Sequence, residues 1–311
     1  MRIVFMGTPE FASAILERLI ESDHEIAAVV TGRDKPVGRR RVLTPTVVRQ
    51  LADARGLPVF TPKSLKDDGL RTSLADLDAD LFVVAAFRIL PPSLFELPAH
   101  GSINIHASLL PRYRGAAPIN WAIINGETET GLTSFFLKKT IDTGDMILQE
   151  RIAIAPNDTY DSLYRRLAEK AGPFCLRTLG LIETGEVTEV KQDGSLATPA
   201  PKIQPEDARI DFDRPASQVA AFVRGMATKP GAFTGFREQK LKVHFAQPSE
   251  FTPDQPQAPG SIIPHKKMLL VQCGEGVVEL TRVVPSGKKE MDGVSFLNGF
   301  RPSPGESFQK I

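Results

Sequence analysis

Residues 81–86, Leu-Phe-Val-Val-Ala-Ala, hold six apolar positions in a row without a polar interruption. A strand with one wet face alternates apolar and polar side chains. One that is apolar on both faces must be covered on both, as a central strand of a parallel sheet is. Residues 2–6, 25–30, 57–60 and 102–106 read as further strands. Residues 10–21 read as an amphipathic helix with Phe11, Ile15, Leu16 and Leu19 on one face, and 45–55 and 118–124 as helices. Strands alternating with helices predict an α/β fold with a parallel, Rossmann-like sheet. The longest apolar stretch, 81–87, falls far short of the roughly 20 residues a bilayer span requires. The four apolar residues ahead of Gly7 are too few for the core of a signal peptide. A cytoplasmic enzyme without membrane attachment is the expectation.

The pattern changes after residue 130. Two strand-like runs, 131–137 and 146–154, flank Thr140-Ile141-Asp142-Thr143-Gly144-Asp145. A long helix is expected over 158–183, with Leu163, Leu167, Ala171 and Phe174 at helical spacing. Pro199, Pro201 and Pro205 punctuate a polar stretch over 197–213 that reads as a linker. Beyond it come a helix at 215–224 and short strands at 232–236, 240–245, 269–272 and 277–284, a spacing that suggests a small β-barrel or sandwich. A chain of 311 residues fits two domains. The expected division is 1–196, a linker at 197–213, and 214–311. Lys plus Arg number 38 against 37 Asp plus Glu, so the overall charge of +1 demands no polyanionic partner and local patches must decide. Cys175 and Cys273 stand 98 positions apart, which gives neither a disulfide framework nor a zinc ribbon. The five histidines form no ligand cluster, and no metal is expected.

Two motifs lie where an α/β sheet places ligands. Gly7-Thr8-Pro9 follows the first strand and precedes a helix, but Pro9 stands where a dinucleotide fingerprint has its second glycine and no third follows. A tight structural turn is the better reading, and a nicotinamide-dependent oxidoreductase finds little support. Residues 104–115, NIHASLLPRYRG, are more telling. Asn104 and His106 are two apart at the carboxyl end of a strand and so share a face. Histidine exchanges a proton near neutral pH, and an asparagine amide can donate to a developing oxyanion. An imidazole in this role needs an orienting carboxylate, for which Asp142 is the candidate.

NIHASLLPRYRG, followed by AAPINWAI at 116–123 and DTGDMIL at 142–148, resembles the folate-dependent formyltransferase family. The similarity runs over nearly the whole chain, from residue 2 to the Gly287-Lys288-Lys289 turn. It implies a Rossmann-like formyltransferase domain followed by a small OB-like barrel that binds tRNA. It also implies a catalytic set of Asn104, His106 and Asp142, and formyl transfer from 10-formyltetrahydrofolate to the α-amino group of initiator methionyl-tRNA. Ser108, Leu109, Leu110 and Pro111, with Phe87, Arg88, Ile89 and Leu90 after the central strand, are the implied folate contacts. The family's strand end usually reads Ala-Tyr-Gly-x-Ile-Leu-Pro. Here Ala86-Phe87-Arg88-Ile89-Leu90-Pro91 stands one residue shorter and lacks the glycine, so the pterin-facing backbone is expected to differ. Residues 33–41 carry net charge +4 and would be a solvated face on composition alone. The resemblance makes them a basic loop that enters the acceptor stem, with Arg39 the main specificity contact beside Arg40 and Arg41. Residues 214–311 hold 13 Lys or Arg against 8 Asp or Glu. The rivals are an amino-sugar nucleotide formyltransferase, a formyltetrahydrofolate hydrolase and a non-catalytic RNA-binding protein. The first two lack a reason for the basic loop, and the third leaves NIHASLLPRYRG unexplained. A monomer is expected.

Overall fold

The computed structural model describes residues 1–38, 41–255, 257–303 and 305–309. Its first elements are β1 (Arg2–Gly7), α1 (Glu10–Ile20), β2 (Glu25–Val30), β3 (Lys35–Val37), β4 (Val42–Thr44), α2 (Val47–Ala54) and β5 (Val59–Phe60). Next come α3 (Asp68–Ala75), β6 (Leu81–Ala85), α4 (Pro92–Phe95), β7 (Ser102–His106) and α5 (Pro118–Ile124). β8 (Glu129–Phe136), β9 (Met146–Ala153) and α6 (Tyr160–Thr184) follow. Seven strands form one sheet in the order β5-β2-β1-β6-β7-β8-β9. The first five are parallel, and β8 runs antiparallel to β7 with Thr133 opposite His106. Of the run 81–86, residues 81–85 form the central β6 and are all buried, whereas Ala86 lies beyond the strand and is exposed. Alternation sends Val4, Met6, Phe82 and Val84 to one face, where they meet Leu70, Leu74, Leu94 and Phe95. Each such side chain fully withdrawn from water contributes about 1.5–3 kcal/mol.

The chain divides into two compact units. One comprises Met1–Gly115, Thr130–Ile152 and Tyr164–Pro199; the other Ala116–Glu129, Ala153–Leu163 and Ala200–Ile311. The second contains α7 (Ala216–Met226), β10 (Ala232–Phe236), β11 (Gln239–Ser249), β12 (Ile262–Ile263), β13 (Leu270–Gln272), β14 (Val277–Pro285), β15 (Met291–Asp292) and α8 (Gly293–Phe300). Its sheet runs β10-β11-β14-β13-β12, with β15 on β14, and its pairings are antiparallel. Register shifts around Phe245 curl it into a half-barrel over a core that includes Val219, Val223, Leu241, Leu280 and Phe296.

Two boundaries differ from expectation. Residues 116–129 and 153–163, expected in the first domain, belong to the second unit. There α5 lies against α7 so closely that a Cβ on Gly225 would sit 2.6 Å from Ile124 Cγ1, and Asn120 Nδ2 donates to the Gly225 carbonyl at 2.8 Å. The stretch expected as a linker is not free chain either. Ala208, Ile210 and Phe212 are buried in the second core, and Ile210 N donates to Phe233 O at 2.8 Å.

Candidate active site

Parallel pairing sets Ala85, the last residue of β6, beside Ile105, so the carboxyl ends of β6 and β7 lie side by side. Gly7 closes β1 opposite Ala85 at the same edge. A Cβ there would lie 2.4 Å from Ala12 Cβ and 3.0 Å from the Ala85 carbonyl oxygen. The glycine therefore serves the close seating of α1 on the strand end, in keeping with a structural turn.

From this edge residues 107–115 fold back over β7. Thr133 Oγ1, opposite His106, donates to Ser108 O at 2.7 Å and accepts from Leu110 N at 3.1 Å. Gln149 Nε2 donates to Leu110 O at 2.8 Å, and Ser108 Oγ to Arg112 O at 2.7 Å. Tyr113 takes the left-handed conformation, φ 62°. Its N–H donates to Thr198 Oγ1 at 2.9 Å, and the next N–H, of Arg114, to Thr198 O at 2.9 Å. The Tyr113 carbonyl is thereby held 3.0 Å from His106 Nε2. A carbonyl only accepts, so Nε2 carries a hydrogen, and in the neutral ring Nδ1 is then the nitrogen with the lone pair. The ring is 7% exposed, and Nδ1 has no partner among the described residues.

Asp142 occupies the loop between β8 and β9, also left-handed at φ 53°. Its Oδ2 accepts from Gly115 N at 2.9 Å. The loop presses on the strand it leaves: a Cβ on Gly144 would stand 1.6 Å from the Phe136 carbonyl oxygen. His106 and Asp142 thus grip one segment two residues apart, through Tyr113 and Gly115. Among the described residues Asp142 makes no hydrogen bond to the imidazole, so any orientation it lends is not direct. The Tyr113 carbonyl orients the ring, because the folded-back segment reaches Nε2 first. Asn104, half-buried on β7, has a side-chain amide with no hydrogen bond among the described residues. Such an amide is free to donate to a ligand.

Residues 86–91 leave β6 beside this set. Since β6 ends at Ala85, the segment that matches the family pattern begins there and has the full seven residues, with Ala86 and Phe87 in the Tyr and Gly places. Counted from Ala85 rather than Ala86 the segment is not shortened, and it departs from the pattern only at the Tyr and Gly places. Ala86 is left-handed, φ 45°, without being a glycine. Leu90 is buried with Phe87 packed near it, whereas Ile89 is 69% exposed. The Arg88 guanidinium donates to Lys63 O at 3.2 Å and Pro62 O at 3.0 Å and lies 5.3 Å over the Phe87 ring. Its partial burial lowers the guanidinium pKa from the ordinary arginine value. Of the other expected contacts, Ser108 and Leu110 are buried, while Leu109 and Pro111 are half-buried.

The basic run is a two-stranded hairpin, β3 against β4, tied at its base by Thr31 Oγ1 to Thr46 Oγ1 at 2.8 Å and by Arg49 to Asp34 at 2.9 Å. Arg39 and Arg40 lie outside the described residues. Arg41 is exposed, as are the apolar Val42 and Leu43 next to it. A cleft of about 430 Å³ at the other end of β7, lined by Gly101, Ser102, Phe136 and Lys138 among others, is remote from this chemistry. Among the described residues no group of three or more His, Cys, Asp or Glu could hold a metal, and no helix is long and apolar enough to cross a membrane.

Residues 1–179 match the model of the formyl transferase family, and 202–301 that of its C-terminal domain. The chain belongs to the formyl transferase family. Within the family it is 44% identical over 307 residues to the methionyl-tRNA formyltransferase of Chlorobium limicola, covering 97% of this chain and 96% of that one. It is 42% identical to the methionyl-tRNA formyltransferase of Geobacter sulfurreducens, over 98% and 96% of the two chains. Its fold is similar to that of the solved methionyl-tRNA formyltransferase from Clostridium thermocellum, at a TM-score of 0.55 and 17% identity over 81% of this chain and 95% of that one.

Four residues that support the site escape a reading of the sequence: Thr133, Gln149, Gln192 and Thr198. Thr133 carries a faint signal, a polar side chain on the almost wholly buried β8, and Gln149 less of one, since it stands on the edge strand β9 beside Glu150 and Arg151. Gln192 and Thr198 carry none, since they sit in polar chain whose purpose appears only once it is laid against residues 113–114 and 142–144.

Proposed function

We propose that this chain transfers the formyl group of 10-formyltetrahydrofolate to the α-amino group of initiator methionyl-tRNA. The observation that carries the chemistry is the pairing of Asn104 and His106 at the carboxyl end of β7, with Asp142 gripping the same folded-back segment. The curated relatives at 42–44% identity over nearly their full lengths support the choice of donor and acceptor. In this reading the first unit, which reaches Pro199, supplies the chemistry and the second holds the tRNA.

The flat heterocycle of a formylated folate suits the edge at 86–91. Exposed Ile89 and half-buried Phe87 offer apolar surface next to backbone hydrogen-bonding groups, the composition of a small-molecule site. In the reaction a bond forms from the acceptor nitrogen to the formyl carbon, negative charge builds on the formyl oxygen, and the bond from that carbon to the folate nitrogen breaks. The free Asn104 amide donates to the charged oxygen; losing one such donor elsewhere costs about 2.7–4 kcal/mol. His106 Nδ1, left with its lone pair by the Tyr113 carbonyl, takes the proton that the attacking nitrogen must shed and returns it to the leaving nitrogen. Asp142 keeps one carboxylate oxygen, Oδ1, outside the bond to Gly115 and favours the imidazolium that forms.

The test is an acceptor comparison with labelled formylfolate and methionyl-tRNA, an amino-sugar nucleotide or water alone. Label recovered in methionyl-tRNA supports the reading; label in the sugar or released as formate defeats it. Arg39→Ala, assayed on initiator and elongator methionyl-tRNA at two salt concentrations, tests the basic hairpin. A relaxed preference with little change in salt slope is expected of a contact at the stem end. Unchanged rates on both tRNAs would remove the hairpin from tRNA recognition.

A further inference from the structure

The segment following α6 returns to the catalytic loop. Val190 and Met146 exchange two backbone hydrogen bonds, both 2.9 Å, at the base of the loop that carries Asp142. Two residues on, the half-buried Gln192 carboxamide makes four more. Its Oε1 accepts from Arg114 Nε at 3.1 Å and Nη2 at 2.7 Å, and its Nε2 donates to Asp142 O at 3.0 Å and Gly144 O at 2.8 Å. A guanidinium only donates and a carbonyl only accepts, so the amide orientation is fixed by its partners. All of its strong valences are used, across separations of 78, 50 and 48 residues.

We infer that Gln192 is a positioning residue for formyl transfer: it locks the Asp142 loop to the Arg114 segment and so fixes where the carboxylate stands relative to the segment whose Tyr113 carbonyl orients the ring. This rests on the reading of Asp142 as part of the catalytic set. The geometry explains why an amide is required. A carboxylate could still accept from Arg114 but would turn an oxygen toward two carbonyls. A methionine of similar length would release both sides. An asparagine is one methylene short of bridging them. Arg114 is itself anchored through its own N–H to Thr198, so the lock joins the loop to a fixed point. What Gln192 controls is where Asp142 stands, and a displacement of about 1 Å in a catalytic group costs up to roughly 10²-fold in rate.

The experiment compares Gln192→Glu, Gln192→Met and Asp142→Asn with the wild type in steady-state and single-turnover formylation, with KM for both substrates and thermal melting read in parallel. For both Gln192 variants the inference expects kcat to fall about 10- to 100-fold. Both KM values should stay within about twofold; loss of the four-bond network lowers the melting temperature, but the rate loss persists far below it, where each variant is fully folded. A rate loss that tracks melting and disappears on cooling would make Gln192 merely structural and overturn the inference. So would kcat within twofold of wild type for Gln192→Glu while Asp142→Asn is inactive. If Asp142→Asn itself keeps near-normal single turnover, the catalytic reading of Asp142 fails instead, and with it the ground for this one.

Discussion

Replacing Gly144 by alanine asks the loop that carries Asp142 to admit one methyl group where none fits. The added Cβ would sit 1.6 Å from the Phe136 carbonyl oxygen, 2.8 Å from its carbon and 3.0 Å from Phe135 Cδ2. Ordinary contact begins near 3.4 Å, so the loop must retreat by about 1.8 Å from β8. The obstacle is strand backbone, paired to β7 through Asn104↔Phe135 and Ile103↔Phe136, and it cannot yield as a flexible side chain would. The retreat strains the bond from Phe136 N to Asp145 O at 3.1 Å and that from Gln192 to Gly144 O at 2.8 Å. It also carries Asp142, two residues away, off its 2.9 Å bond to Gly115. Overpacking of this kind costs about 1–3 kcal/mol of stability. A carboxylate moved by more than 1 Å should cost about 10²-fold in rate. The assay is single-turnover formylation of methionyl-tRNA beside a denaturant titration on the same preparation. A Gly144→Ala protein that keeps its rate within threefold and its denaturation midpoint would refute both the contact and the need for Asp142 to stand where it does.

Other substitutions probe the remaining parts of the site. Asn104→Ala should lower kcat about 10²- to 10³-fold with tRNA affinity unchanged in a filter-binding assay; near-normal single turnover would remove Asn104 from oxyanion stabilisation. His106→Ala and Asp142→Ala should each lose most activity, yet the double variant should lose little more, because groups acting as one unit are not additive. Multiplied losses would show two independent roles. Ala86→Gly should raise stability by about 0.5–1 kcal/mol, since an exposed alanine at φ 45° carries left-handed strain that outweighs the extra freedom glycine has when unfolded. A lower denaturation midpoint would mean that the Ala86 methyl makes a contact the strain conceals.

Much of the first unit could be read from sequence because its signals are local. The run 81–86 announces a covered strand without reference to anything distant, and Asn104-x-His106 declares a shared face through a period of two. The β3–β4 hairpin stays hidden because Lys35-Pro36-Val37 mixes charge with a proline, and neither strand has an apolar face to repeat. α3 escapes for a similar reason: an eight-residue helix that buries only Leu70 and Leu74 offers too little periodicity, although Asp67 caps it through Leu70 N at 2.9 Å. Phe212 and Ile210 were lost in the proline-rich stretch around them, where composition suggests free chain and burial is decided by the β10 strand they meet. The carbonyl that holds the imidazole at Nε2 leaves no mark in the sequence. A carboxylate is the usual orienting group, but a backbone carbonyl serves as well, and nothing in the residue types reveals where a folded-back loop will put one.

The ties made by Gln192 and Thr198 have a consequence for the order in which this protein becomes competent. All seven strands of the first sheet have been made by Ala153, and a chain emerging from the ribosome can begin packing them as a unit. The loop bearing Asp142 and the turn bearing Tyr113 gain their last anchors some forty residues later, when the chain returns after α6. A fragment that stops before residue 190 would therefore hold Asn104, His106 and Asp142 along the chain and the whole sheet beneath them, and still lack the ties that fix Asp142 and Tyr113. In this molecule architecture is completed first and competence afterwards, by a short polar return that adds no strand to the sheet.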